Sequence, residues 1–328
     1  MTVSRVVNGG RNVSAATREL VERAIEELDY SPNLAARRLA GGYSIKVGLL
    51  YSNPSASYIS QFLMGGLDEA QRRDIQLVVV KCDPGEAELK AAHQLFDAGV
   101  DGIILPAPLC NSNALLEVIR ARNIPAVAVA SGLPVAGIAS VSIDDFDAAR
   151  EMTAHLISLG HRRIGFIEGS PDQTASARRR EGYAAALAEA GIALDPGLVQ
   201  PGLFTYRSGL EAAEHLLAME PRPTAIFASN DDMAAAAVAA AHRHGLDVPG
   251  QLTVAGFDDT AMATTIWPEL TTIRQPISEM AGAAVEVLTE AIIAHRRGRK
   301  EQAARHMVCE HSLVRRESTA PVQAGSRS

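Results

Sequence analysis

The chain has 328 residues, 47% hydrophobic, 21% charged and 4% aromatic, enough apolar material for two domain cores and too much for a disordered chain. The absence of any apolar run of about 18 residues excludes a membrane-spanning helix, and the opening MTVSRVVNGG lacks the apolar stretch of a secretory signal. Three scattered cysteines, Cys82, Cys110 and Cys309, offer neither a disulfide framework nor a zinc knuckle and fit a reducing cytoplasm. The net charge is −7, yet residues 1–46 carry seven basic and five acidic side chains. A nucleic-acid contact is therefore expected at the N-terminus.

Residues 2–8 (TVSRVVN) form a short helical candidate stopped by Gly9-Gly10. Ser14 is placed to cap a helix from Ala15 to Asp29, with Leu20, Val21, Ala24, Ile25 and Leu28 at helical spacing. Pro32 starts a short helix over Asn33–Ala40, and Gly41-Gly42 reads as a linker. From Ile45 the pattern changes to β-rich runs alternating with helices. Strands are expected at 45–51, 77–81, 101–106, 126–130 and 140–143, then at 163–168, 198–201, 224–229 and 252–257. Such alternation implies parallel sheets with right-handed crossovers, and two series imply two doubly wound α/β lobes. A helix near 278–295 and a strand near 307–314 follow, and the small polar tail after Ser318 is expected to be disordered.

The motifs of common enzymes are missing. There is no G-x-G-x-x-G after a strand, no P-loop and no G-x-S-x-G elbow. His242 with His244, and His306 with His311, lack the spacing of a metal site, so no metal or cofactor is expected. The basic run Arg296, Arg297, Arg299, Lys300 reads as a solvated helix end. Polar residues at strand C-terminal ends say more, because open parallel sheets bind ligands there. Asn230 follows one strand, Asp258 another, Arg179 lies on the helix after a third, and Tyr58 follows the first. Each alone could cap a helix or solvate a loop. Together they suit a small polar ligand with several hydroxyls or ring nitrogens, and no activated nucleophile stands among them. That favours binding without turnover.

The string Thr2-Val3-Ser4-Arg5-Val6-Val7-Asn8, with Val13-Ser14 and Thr17-Arg18 after it, resembles the lactose-repressor (LacI/GalR) family of bacterial transcription regulators. So do Leu28-Asp29-Tyr30-Ser31-Pro32-Asn33 and Ala35-Ala36-Arg37-Arg38-Leu39-Ala40. Further matches are Val100-Asp101-Gly102-Ile103-Ile104, Leu159-Gly160-His161-Arg162-Arg163-Ile164-Gly165, Asn230-Asp231-Asp232-Met233-Ala234, Gly256-Phe257-Asp258-Asp259, Pro268 with Leu270-Thr271-Thr272-Ile273, and Val314-Arg315-Arg316-Glu317-Ser318-Thr319. They run collinearly through nearly the whole chain.

The resemblance implies a DNA-binding head and hinge helix over residues 1–44. It also implies a two-lobed core like that of type I periplasmic sugar-binding proteins, with a first lobe over 45–145 and 276–308. The second lobe covers 146–275 and 309–318, and a tail follows over 319–328. In the head, Arg5 is expected to read a base edge. Thr2, Ser4 and Asn8 would contact phosphates or bases, and Tyr30 and Asn33 the DNA backbone. Leu39, with Ala36 one turn back, would wedge into the minor groove. In the core, Tyr58, Arg179, Asn230, Asp258 and Trp267 are the expected effector contacts. Where many relatives with sugar effectors carry an acid, this chain has Ala130, which weakens the case for a simple hexose but not for an effector site, and the sequence leaves open whether Asp144 on the next turn substitutes. The family's opening helix has no counterpart before Thr2, so the helix-turn-helix is incomplete. A start assigned too late is the favoured reading, a degenerate regulator the other. The expected protein is a cytoplasmic, homodimeric repressor of operator DNA answering to a sugar-like effector; the alternative is a solute-binding protein without a DNA role.

Overall fold

The computed structural model describes residues 14–27, 44–83, 85–298 and 304–322, in two compact units, 1–44 and 45–328. In the first unit lies α1 (Ala15–Glu27), capped by Ser14, whose Oγ accepts from Thr17 N at 3.3 Å. Val21 is buried, but Leu20, expected on the same face, is exposed, because adjacent residues lie about 100° apart around a helix. The expected helices over 2–8 and 33–40 lie outside the described residues.

The second unit holds two six-stranded sheets. The chain runs β1 (Lys46–Tyr51), α2 (Ala56–Arg72), β2 (Gln76–Lys81), α3 (Glu86–Asp97), β3 (Gly102–Pro106), α4 (Asn113–Ala121), β4 (Ala126–Val129) and β5 (Ala139–Ile143). It continues with α5 (Asp145–Ser158), β6 (Ile164–Ile167), α6 (Thr174–Glu189), β7 (Val199–Gln200), α7 (Tyr206–Leu217), β8 (Ala225–Ala228), α8 (Asp231–Arg243), β9 (Thr253–Asp258), α9 (Met262–Thr265) and β10 (Thr271–Arg274). Last come α10 (Ile277–Arg296), β11 (His306–Cys309) and β12 (Ser312–Val314). The first sheet is ordered β11-β5-β4-β3-β1-β2, all parallel. The second is ordered β12-β10-β9-β8-β6-β7, parallel except that β12 runs antiparallel to β10.

Strands such as Gly102–Pro106 and Ala225–Ala228 are buried throughout, as continuous apolar runs covered on both faces must be. Alternate residues feed different cores. Leu49 and Ile104 point to one, Leu50, Ile103 and Leu105 to the other. Helices pair across these cores, α2 with α10, α3 with α4, α5 with α6 and α7 with α8. Two pairs depend on glycine. A Cβ on Gly65 of α2 would sit 2.2 Å from Ser278 O, and one on Gly182 of α6 would sit 2.1 Å from Phe146 O; only a residue without a side chain permits such approach.

The chain passes between the sheets three times, after β5, after β10 and between β11 and β12. The single strand expected near 307–314 is two strands in different sheets, because the chain changes lobe at Glu310-His311. Strand β10 was not expected, because four residues carry little periodic signal. The disorder expected from residue 319 does not begin there. His161 Nε2 bonds Ala320 O at 3.0 Å, Thr319 Oγ1 meets Thr271 Oγ1 at 2.9 Å, and Val322 N donates to Leu159 O at 3.0 Å. Among the described residues no helix is long and apolar enough to cross a membrane.

Candidate functional site

The parallel strands of both sheets send their C-terminal ends toward one narrow cavity of about 30 Å³. Asn53, Ser55 and Tyr58 follow β1, Ala107 follows β3 and Ala130 follows β4. From the second lobe come Gln173, Ala175 and Arg179 after β6, Phe204 after β7, Asn230 after β8 and Asp258 closing β9; Gln275 follows β10. A larger open groove of about 1020 Å³ lies on the second lobe beside α6 and α7. None of the unpartnered buried polar atoms lies in its walls, so the smaller cavity is the candidate.

Arg179 is the electrostatic centre. It is 5% exposed, and its Nε donates to Asp145 Oδ1 at 2.8 Å and its Nη1 to Ser229 O at 2.5 Å. The guanidinium carbon lies 3.7 Å from the Phe257 ring centre and 5.7 Å from that of Phe204, within cation–π range. Asp258 Oδ1 stands 3.9 Å from Arg179 Nη1, and accepts from Gln275 Nε2 at 2.6 Å. Burial pushes the carboxyls of Asp145 and Asp258 upward, and the Arg179 cation opposes that rise in both. Asp231, which opens α8, is pushed up to about 7 by burial, against three hydrogen bonds from Thr260 and Thr272.

Among the described residues, three buried side-chain atoms have no hydrogen-bond partner, Tyr58 Oη, Gln275 Oε1 and Ser131 Oγ. Tyr58 and Gln275 line the cavity, and Ser131 adjoins Ala130 in its wall. Such groups cost free energy when left unpaired, so a cavity walled by them is built for a ligand that hydrogen-bonds. Direct bonds also link the two lobes at its rim. Ser55 Oγ donates to Asp232 Oδ2 at 2.5 Å, and Thr174 Oγ1 accepts from Asn111 Nδ2 and Gly132 N, each at 3.0 Å.

Of the expected contacts, Tyr58, Arg179, Asn230 and Asp258 come together here. Asn230 also caps α8, accepting from Met233 N at 3.0 Å and donating to Phe204 O at 3.1 Å. Trp267 is not brought to the cavity. Its side chain is 74% exposed, and it precedes the N-terminal end of β10 while the cavity gathers the C-terminal ends. Asp144 does not stand in for an acid at Ala130. It caps α5, accepting from Phe146 N and Asp147 N at 3.1 and 3.0 Å, and it is absent from the lining. Sequence reasoning missed Gln173, Phe204 and Gln275. The strand-end rule would have found Gln275 had β10 been recognised. Thr2, Ser4, Arg5, Asn8, Tyr30, Asn33, Ala36 and Leu39 lie outside the described residues.

Comparison with known proteins supplies the rest. Residues 1–33 match the model of the bacterial regulatory proteins of the lacI family, and residues 153–319 that of a periplasmic binding protein-like domain. Catabolite control protein A of Priestia megaterium is 34% identical over 291 residues, 88% of this chain and 87% of that protein. The solved complex of the transcriptional regulator CelR with cellobiose superposes with a TM-score of 0.77 at 32% identity, over 96% of this chain and 94% of that one. The lac repressor dimer bound to operator and an anti-inducer gives 0.76 at 29% identity, over 97% and 94%. These relatives are regulators and not enzymes, and this chain belongs to the LacI family of bacterial regulatory proteins.

Proposed function

We propose that the chain is a cytoplasmic, homodimeric transcription repressor whose grip on operator DNA is set by a sugar or related polar metabolite held between the two core lobes. One observation carries the reading of the core. Tyr58 Oη and Gln275 Oε1 are buried, unpartnered and set in the same cavity as Arg179 and Asp258. A ligand rich in hydroxyls satisfies all four at once, offering donors to Gln275 and Asp258 and acceptors to Tyr58 and Arg179. The cellobiose complex of CelR and the operator complex of the lac repressor dimer support the reading by likeness. On the DNA side Arg5 reads a base edge, Thr2, Ser4 and Asn8 contact phosphates or bases, Tyr30 and Asn33 hold the backbone, and Ala36 and Leu39 enter the minor groove.

A ligand that draws the lobes together changes affinity for DNA only by binding the two states unequally, and DNA then changes ligand affinity by the same factor. The test is a thermal-shift screen of sugars and nucleosides, where a ligand at a hundred times its Kd adds about 2.7 kcal/mol. Gel retardation of promoter fragments follows, with and without each stabilising compound. The reading expects at least one compound to raise Tm and to alter retardation. A compound that raises Tm without any change in retardation would separate the core from DNA control and contradict it.

A further inference from the structure

The carboxylate of Asp258 reaches the cavity from an unusual backbone. Asp258 and Asp259 carry φ of +114° and +56°. Aspartate tolerates the second value, in the left-handed well, better than most residues. A φ of +114° lies beyond that well, where glycine is the ordinary occupant and other residues persist only when their surroundings hold them. Thr260 fixes the far side of the turn, its N and Oγ donating to Asp231 Oδ2 at 2.8 and 3.2 Å.

Between them Asp259, with its side chain 7% exposed, is gripped by two arginines. Arg274 Nε lies 2.6 Å from Oδ2 and Arg316 Nη2 lies 2.5 Å from Oδ1. The two grips are unequal. The Arg274 side chain is 55% exposed, and water weakens such a pair. That of Arg316 is 13% exposed, donates from Nη1 to Leu270 O at 2.8 Å, and is tied at its backbone N to Thr271 Oγ1 at 2.9 Å. Arg316 follows β12, the last strand, and does not line the cavity.

We propose that Arg316 is a positioning residue for effector binding, holding Asp259 so that the turn stays left-handed and the Asp258 carboxylate stays in the cleft. This rests on reading the cavity as the effector site. Two measurements on the full chain test it, hydrogen exchange without ligand and calorimetric titration with cellobiose, D-glucose and D-ribose. Arg316→Ala is expected to speed exchange of the Thr260 amide by about tenfold or more. It should weaken uptake of whichever sugar the wild-type chain takes by a similar factor, as for loss of a charged hydrogen bond. Arg316→Lys, the milder variant, should show the same changes at smaller size.

Adding Asp259→Gly to Arg316→Ala should restore affinity, because glycine occupies a φ near +56° without a clamp, whereas adding Asp259→Ala should not. A merely structural ion pair predicts rescue by neither, since either second substitution also deletes the Arg274 pair. Unchanged exchange and affinity in Arg316→Ala, or no rescue by glycine, would overturn the clamp while leaving the effector reading intact. Failure of the wild-type chain to take up any of the three sugars would overturn the reading of the cleft as a site for simple sugars, and this inference with it.

Discussion

The two walls of the cleft are built on different principles. The second lobe presents charge, with Arg179 between Asp145 and Asp258 bonded within the protein, and leaves Gln275 Oε1 as its unpartnered group. The first lobe presents neutral groups, Asn53, Ser55, Tyr58, Ala107 and Ala130, among them the unpartnered Tyr58 hydroxyl. A buried charge must be paired by the protein itself before any ligand arrives, because leaving it bare costs more than the fold can spare. A neutral hydroxyl can wait for a ligand at a smaller cost. The charged wall is thus preorganised and the neutral wall is completed by what it binds.

Substitutions on each wall should therefore act in opposite directions on the empty protein. Arg179→Ala strands two buried carboxylates and should destabilise the chain by about 3–5 kcal/mol, seen as a lower midpoint in urea unfolding, with loss of effector response. An unfolding midpoint equal to wild type would break the comparison.

The charged wall should also carry a pH signature. Asp231 is pushed from 3.8 in the unfolded chain up to about 7 in the fold, and the same burial raises Asp145, Asp232 and Asp258. The folded chain then binds more protons than the unfolded chain between about pH 4 and pH 7, so these groups make stability fall as pH rises through that window. Asp231→Asn should flatten the slope of Tm against pH there, and an unaltered slope would contradict the assignment.

The neutral wall should respond more gently. Tyr58→Phe removes an unpartnered hydroxyl, so the empty chain should gain up to about 1 kcal/mol while sugar affinity falls by roughly fivefold. Loss of stability in that variant would mean that the hydroxyl is satisfied within the protein. The smallest effect concerns Trp267. Exposed and remote from the cavity lining, it should keep its emission maximum when a sugar fills the cleft, and a blue shift on binding would return it to the site.

Much of this architecture was legible in the sequence because buried parallel strands write themselves as apolar runs such as GIILP and TAIFAS, with polar residues waiting at their C-terminal ends. That rule found Tyr58, Arg179, Asn230 and Asp258. It failed where the element is short or the contact comes from far along the chain. Strand β10, four residues long, hid Gln275. Phe204 follows β7, which has only two residues. The lobe change between Cys309 and Ser312 leaves no trace in composition, because an edge strand of either sheet reads alike. Trp267, expected from the resemblance and not from a strand end, precedes β10 at its N-terminal end and lies away from the lining.

The central claim is that the cavity between the lobes takes a small hydroxyl-bearing ligand through Asp258 and its partners. Calorimetric titration of the wild-type chain and Asp258→Asn with cellobiose, D-glucose and D-ribose tests it most directly. One of the sugars should bind the wild-type chain, with affinity about tenfold or more weaker in the variant, as expected when a charged acceptor is lost. Equal affinity in the two chains, or no binding by the wild-type chain, would contradict the claim.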